Sequence, residues 1–186
     1  MWVVKTWIIV LVALLSVVGC NSREQAKEKS VAPDQALVKQ AAAKLMQQGV
    51  QFLNQKDISK AVVSFQGAIQ VDPTDLQPYM VLSEIFLSLK SYLEAIAVLE
   101  RAANTFPDNG YVFYMLSLAN ESNGAALPAV LAARRSAELF QAQNNQEGFQ
   151  QSVLLMQRLI KNEEEKESKQ APQTQQQKTL SDPSGH

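Results

Sequence analysis

Hydrophobic and polar positions divide the chain into four stretches of different texture. Residues Trp7 to Val18 are almost wholly apolar, and residues 21–33 are polar with mixed charges. From Gln35 to about Lys161, apolar residues recur three and four apart, the spacing that lines one face of an α-helix. The chain then runs through Asn162-Glu163-Glu164-Glu165-Lys166-Glu167-Ser168-Lys169 into a Gln-rich, Pro-punctuated stretch ending at His186. Period-two alternation is scarce, so the pattern predicts helices and no sheet. It predicts a helical body over 34–161, entered at Pro33-Asp34. A flexible tether over 20–33 precedes the body. A disordered tail over 162–186 follows it, with little apolar surface to bury.

The body repeats itself. A shift of 34 residues superposes Leu45, Tyr79 and Phe113; Gly49, Ser83 and Ser117; Phe52, Phe86 and Asn120. Further along, Ala61, Ala95 and Ala129 fall into register, then Phe65, Leu99 and Ala133, then Ala68, Ala102 and Ser136. Asp72-Pro73 and Phe106-Pro107 close the first two units. A fixed period of this length marks stacked copies of one supersecondary unit, because a single copy cannot bury its own apolar face.

These residues resemble the tetratricopeptide pattern of a large residue, Leu-Gly, a Tyr, then Ala, an aromatic and Pro. The first unit supplies Leu45, Gly49, Phe52, Ala61, Phe65, Ala68 and Pro73, and the second Tyr79, Leu82, Phe86, Ala95, Leu99, Ala102 and Pro107. The third supplies Phe113, Leu116, Ala129 and Ser136, and departs at Asn120 and Gln141, where an aromatic and Pro are usual. The resemblance covers about residues 42–143. It implies an all-α, right-handed solenoid of about three helix pairs plus a C-terminal capping helix. Small Gly49, Ala61 and Ala95 let paired helices approach, and Pro73 and Pro107 end the second helices. Ser91-Tyr92-Leu93-Glu94 reads as a capping box, and Pro128 suits the first turn of the last repeat helix. Gln146 to Lys161, with Phe149, Val153, Leu154, Met156, Leu159 and Ile160, reads as the closing helix. Asn144 and Glu147 are placed to cap it.

The first twenty residues read as an address. Lys5 gives a positive start, and the apolar run is shorter than the roughly 20 residues a membrane-spanning helix needs. It fits a secretory signal peptide over 1–19. Leu15-Ser16-Val17-Val18-Gly19-Cys20 resembles the lipobox of bacterial lipoproteins. That resemblance implies cleavage before Cys20 and lipid on its thiol, through which the chain is held to a membrane. It also implies a place in the bacterial cell envelope. Asn21 after the cysteine points to the outer membrane, facing the periplasm. The competing reading is an uncleaved anchor with an incidental cysteine.

Composition narrows the chemistry. Of 186 residues, 46% are hydrophobic and 19% charged, and the formal net charge is −1. No basic excess exists to neutralise a phosphate backbone, which argues against nucleic acid. One cysteine excludes an intramolecular disulfide and a multi-cysteine metal site. The one histidine is His186, so no internal base serves a hydrolytic triad. No phosphate-cradling glycine loop occurs. Glu163-Glu164-Glu165 lacks the alternating ligands and turn glycine of a calcium loop. The expectation is a chain with no catalysis, no metal, no small-molecule substrate and no cofactor beyond covalent lipid.

In tetratricopeptide proteins the first helix of each unit lines an inner groove. Here that face comprises Met46, Val50 and Leu53 from the first unit, Met80, Glu84 and Leu87 from the second, and Tyr111, Tyr114 and Leu118 from the third. Met, Tyr and Leu with one acid suit an apolar peptide or amphipathic helix from a protein partner. They equally suit packing against the repeats' own helices or the N-terminal extension. The Asn and Lys pattern of family members that clamp C-terminal carboxylates is missing. The resemblance implies a membrane-anchored scaffold or adaptor in envelope assembly, such as pilus or outer-membrane complex biogenesis. A periplasmic holdase-like chaperone binding apolar segments is the alternative.

Overall fold

The computed structural model describes the backbone of residues 32–180 and the side chains of residues 35–169. The expected signal peptide, Cys20 and nearly all of the tether lie outside the described residues. Seven helices follow one another: α1 (Ala32–Asn54), α2 (Ile58–Val71), α3 (Gln77–Ser88), α4 (Tyr92–Thr105), α5 (Gly110–Ser122), α6 (Ala126–Ala142) and α7 (Gln146–Leu180). No strand occurs among the described residues. Each helix packs on its neighbour in sequence, and α7 also touches α5. This is the all-helical stack that the 34-residue period predicts.

Two kinds of turn alternate, and local chemistry sets each. Within the pairs, Lys56, Lys90 and Gly124 take positive φ of 61°, 60° and 77°. The next N–H in each case reaches back to close the helix: Asp57 to the Phe52 carbonyl, Ser91 to Phe86 and Ala125 to Asn120, all at 2.8–2.9 Å. These are Schellman closures, which satisfy the last carbonyls of a helix. Between pairs, Pro73 and Pro107 cannot continue a helix and turn the chain. The Asp72 carboxylate accepts from the Thr74 hydroxyl and N–H at 2.6 and 3.0 Å. The Thr74 hydroxyl bond, followed by the Thr74 N–H bond and the charge of Lys39, outweighs burial and holds the Asp72 carboxyl below its ordinary pKa. At the start of α2, Asp57 accepts from the Lys60 N–H at 3.1 Å and pairs with its ammonium. Its pKa is lowered, chiefly by the Lys60 side chain and then by that N–H.

The core is built from the repeat positions. Ala61, Phe65, Ala68, Tyr79, Leu82 and Ala102 form the first buried cluster. Ala95, Leu99, Met115 and Ala119 form the second, and Ala129, Ala133, Leu155 and Leu159 the third. The Tyr79 ring meets Phe106 edge-on at 5.9 Å, fixing the second unit against its exit turn. In the last units, small polar residues stand at buried repeat positions, and each has a hydrogen-bond partner. Ser136 Oγ donates to the Gly110 carbonyl and lies 2.8 Å from Ser152 Oγ. Ser117 Oγ donates to the Ala129 carbonyl. Asn120, buried where an aromatic is usual, donates from its amide to the Leu116 carbonyl.

Several local expectations are corrected. Ser91 stands at the N-cap of α4, but its side chain makes no capping bond. The same position one unit earlier is Asp57, which does cap. Asn145 rather than Asn144 caps α7, accepting from the Gly148 N–H at 2.9 Å. Asn144 is consumed by the turn itself, at φ 56°, with Asn145 N–H closing on the Phe140 carbonyl. Leu154 and Ile160 are exposed, while Leu155 and Leu159 face inward. Without a proline at Gln141, α6 runs to 17 residues against 14 for α2 and α4. Finally, α7 stays helical to Leu180, where composition pointed to a structureless tail beyond 161. Glu, Lys and Gln are good helix formers, and Lys161–Glu165 and Lys166–Glu163 pair along the helix surface.

Candidate partner-binding groove

The nine residues assigned to the inner face separate into three groups. Val50, Glu84 and Tyr111 are exposed, the first and last by 47% and 45%. Leu53, Met80, Leu87, Tyr114 and Leu118 are half-buried. Met80 packs on both the first and second clusters, and Tyr114 and Leu118 on both the second and third. These three side chains therefore span successive units, with one side in the core and one in solvent. Met46 is a correction: it is only 8% exposed and belongs to the first cluster. Met46 lies inward with Phe65, Tyr79 and Leu82 in that cluster, so its side chain is spent on the repeats' own core.

The open part of the face is aromatic and acidic. Tyr111 and Tyr114 lie three apart on α5, and their rings stack with centroids 6.4 Å apart at 15°. A stacked pair offers rigid amphipathic area at little ordering cost. Glu84 lies one helical turn from both Met80 and Leu87 on α3, so the three share a face. Glu121, the acid of α5, pairs with Arg158 of α7 at 2.7 Å.

Arg158 and the α7 contribution escaped the sequence reading. A signal for them exists. At a shift of 35 rather than 34, Gly148, Ser152 and Leu155 follow Phe113, Ser117 and Asn120. The closing helix thus stands where the first helix of a fourth unit would stand. Phe149, Val153 and Met156 take the places equivalent to Tyr114, Leu118 and Glu121, and all three are half-buried. Met156 packs on the third cluster beside Tyr114 and Leu118, which extends the face by one helix.

The architecture has clear counterparts among known proteins. The TPR2B domain in the pHsp70 complex of yeast Sti1 superposes with a TM-score of 0.58 at 18% identity, covering 66% of this chain and 98% of that one. The fold is a tetratricopeptide-repeat solenoid. The first TPR of Spaghetti (RPAP3), bound to the HSP90 peptide SRMEEVD, superposes with a TM-score of 0.53 at 18% identity, covering 66% and 95%. In sequence, a stretch of 92 residues is 33% identical to Superkiller protein 3 of Schizosaccharomyces pombe (strain 972). It takes in 46% of this chain and 7% of that protein, so the chain spans a small fraction of the relative's length. No protein-family model matches the chain.

Proposed function

We propose that this chain is a protein-interaction adaptor of the bacterial cell envelope. In this reading it is tethered to a membrane by lipid on Cys20 and holds a partner segment on its inner face. The observation that carries the interaction role is the run of Val50, Met80, Glu84, Leu87, Tyr111, Tyr114 and Leu118 across successive first helices, each exposed or half-buried. Support comes from the structural neighbours, one of which holds the peptide SRMEEVD. The lipid anchor and envelope setting rest on Leu15 to Cys20 alone. The 11 residues 21–31 between Cys20 and the start of α1 at Ala32 reach at most about 40 Å when extended, so the solenoid would work close to the surface that holds it. Burial of Met46 weakens the holdase alternative, which relied on adaptable methionines lining an open groove.

A photo-crosslinking residue at Tyr111 should trap one defined partner in living cells, whereas the same residue at exposed Leu93 on α4 should not. Tyr111→Ala should leave the melting temperature unchanged and weaken partner capture by about 1–2 kcal/mol, the usual hot-spot range. Equal crosslinking from both positions, or capture indifferent to Tyr111→Ala, would sink the groove reading. Protein extracted from membranes should have the mass of a chain beginning at an acylated Cys20. A mature protein beginning at Met1 would remove the anchor.

A further inference from the structure

We infer that the groove selects basic amphipathic segments and turns away acidic ones, an inference that rests on the groove reading above. Charge complementarity on the face carries the preference. Between them α3 and α5 carry two charged residues, Glu84 and Glu121, and no cation. Glu121 is neutralised by Arg158 at 2.7 Å. Glu84 is exposed, and among the described residues no ion pair involves it. One uncompensated carboxylate therefore sits between Met80 and Leu87 on α3, the first helix of the unit that precedes the one bearing the Tyr111–Tyr114 stack.

A segment that fits must place apolar side chains on Met80, Leu87 and the tyrosines while setting a Lys or Arg opposite Glu84. An acidic segment meets an unpaired like charge there, which lowers its affinity. The peptide SRMEEVD held by the structural neighbour carries three acids against one arginine. By this chemistry it is the kind of ligand the present chain rejects. A helical occupant would present Leu or Met at every third and fourth position with the cation on the same stripe.

The test uses two acetylated, amidated peptides of about 16 residues, roughly four helical turns, with one Leu/Met stripe. They differ only in a central Lys or Glu. Fluorescence anisotropy with the chain from Cys20 to His186 should show the Lys peptide binding about fivefold tighter, the scale of exchanging a partly exposed ion pair for a repulsion. The gap should narrow as ionic strength rises from about 0.05 M to about 0.5 M. Glu84→Gln should bring the two affinities together and Glu84→Lys should invert their order, with circular dichroism confirming intact helix in both. Equal affinities in the unmodified chain, or an order unchanged by Glu84→Lys, would overturn the charge preference while Tyr111→Ala, weakening both peptides alike, would still uphold the groove. If neither peptide binds, the groove reading falls together with the preference.

Discussion

Gly49 has no room for a methyl group. A Cβ built there would stand 2.6–2.9 Å from ring carbons of Phe65, itself 0% exposed and unable to retreat. Alanine in a helix interior gains up to about 1 kcal/mol over glycine, but overpacking a fixed core costs about 1–3 kcal/mol. The second effect wins, so Gly49→Ala should lower stability by about 1 kcal/mol or more in urea denaturation. Gly67 is the contrast. Its nearest neighbours are the methyl carbons of Leu45 at 3.4 and 3.7 Å, so Gly67→Ala should leave stability unchanged or raise it by up to about 1 kcal/mol. Shifts of the same sign in both variants would contradict this account. Asp72 supplies a second test. Its folded pKa is depressed by Thr74, so it stabilises fully above the unfolded carboxylate value of about 3.9 and loses that contribution as pH falls through the lowered value. Asp72→Asn should be less stable than the parent at neutral pH, and thermal melts should show the gap closing once pH falls below about 4. A gap independent of pH would exclude an ionised Asp72 as its cause.

At the scale of elements, the turns and the last helix carry the energetic asymmetry. Lys56 and Lys90 hold a left-handed conformation that Gly124 adopts freely at the third equivalent turn. A non-glycine residue there costs about 1–2 kcal/mol, partly offset by the larger unfolded-state entropy of glycine. Lys90→Gly should therefore raise stability by about 0.5–1 kcal/mol, and Gly124→Ala should lower it by about 1 kcal/mol, both read from the urea midpoint. Opposite signs would show that the closing hydrogen bonds, not the φ angle, govern these turns. Along α7, Ser152, Leu155 and Leu159 are buried, but residues 164–169 are exposed on every side. Isolated helix in water is marginal. Amides of 164–169 should exchange with solvent much faster than those of 152–159. Equal protection would mean that something packs on the far end.

For the whole molecule, stability is nearly one-dimensional, each unit resting on its neighbours. The third cluster draws Leu155 and Leu159 from α7, and Ser136 relies on Ser152 of that helix as a buried partner. Truncation after Asn145 should expose Ala129 and Ala133, remove one of the two hydrogen-bond partners of Ser136 and lower the melting temperature sharply. Truncation after Lys169 should leave it unchanged. If both cuts were silent, α7 would not close the stack.

Much of this architecture follows from periodicity. A 34-residue repeat of small and large apolar positions, punctuated by Asp72-Pro73 and Phe106-Pro107, is compatible with helix pairs and little else. Each unit must bury one stripe, and proline must end a helix. The same pattern put the nine residues on one side of each first helix, because residues three and four apart share a side; the family resemblance alone implied that this side lines a groove. Tertiary structure decided how open that face is. Met46 and Val50 are four apart and look alike to any helical period, yet one is core and the other solvent-facing, because only neighbouring side chains determine where a stripe's edge lies. The same holds for Leu154 and Leu155, adjacent residues of one kind that a single step of helical rotation sends to opposite fates. The pairing of Ser136 with Ser152 and of Glu121 with Arg158 was equally beyond local pattern. Those contacts join side chains 16 and 37 residues apart on different helices, and only the packing of the stack brings them together.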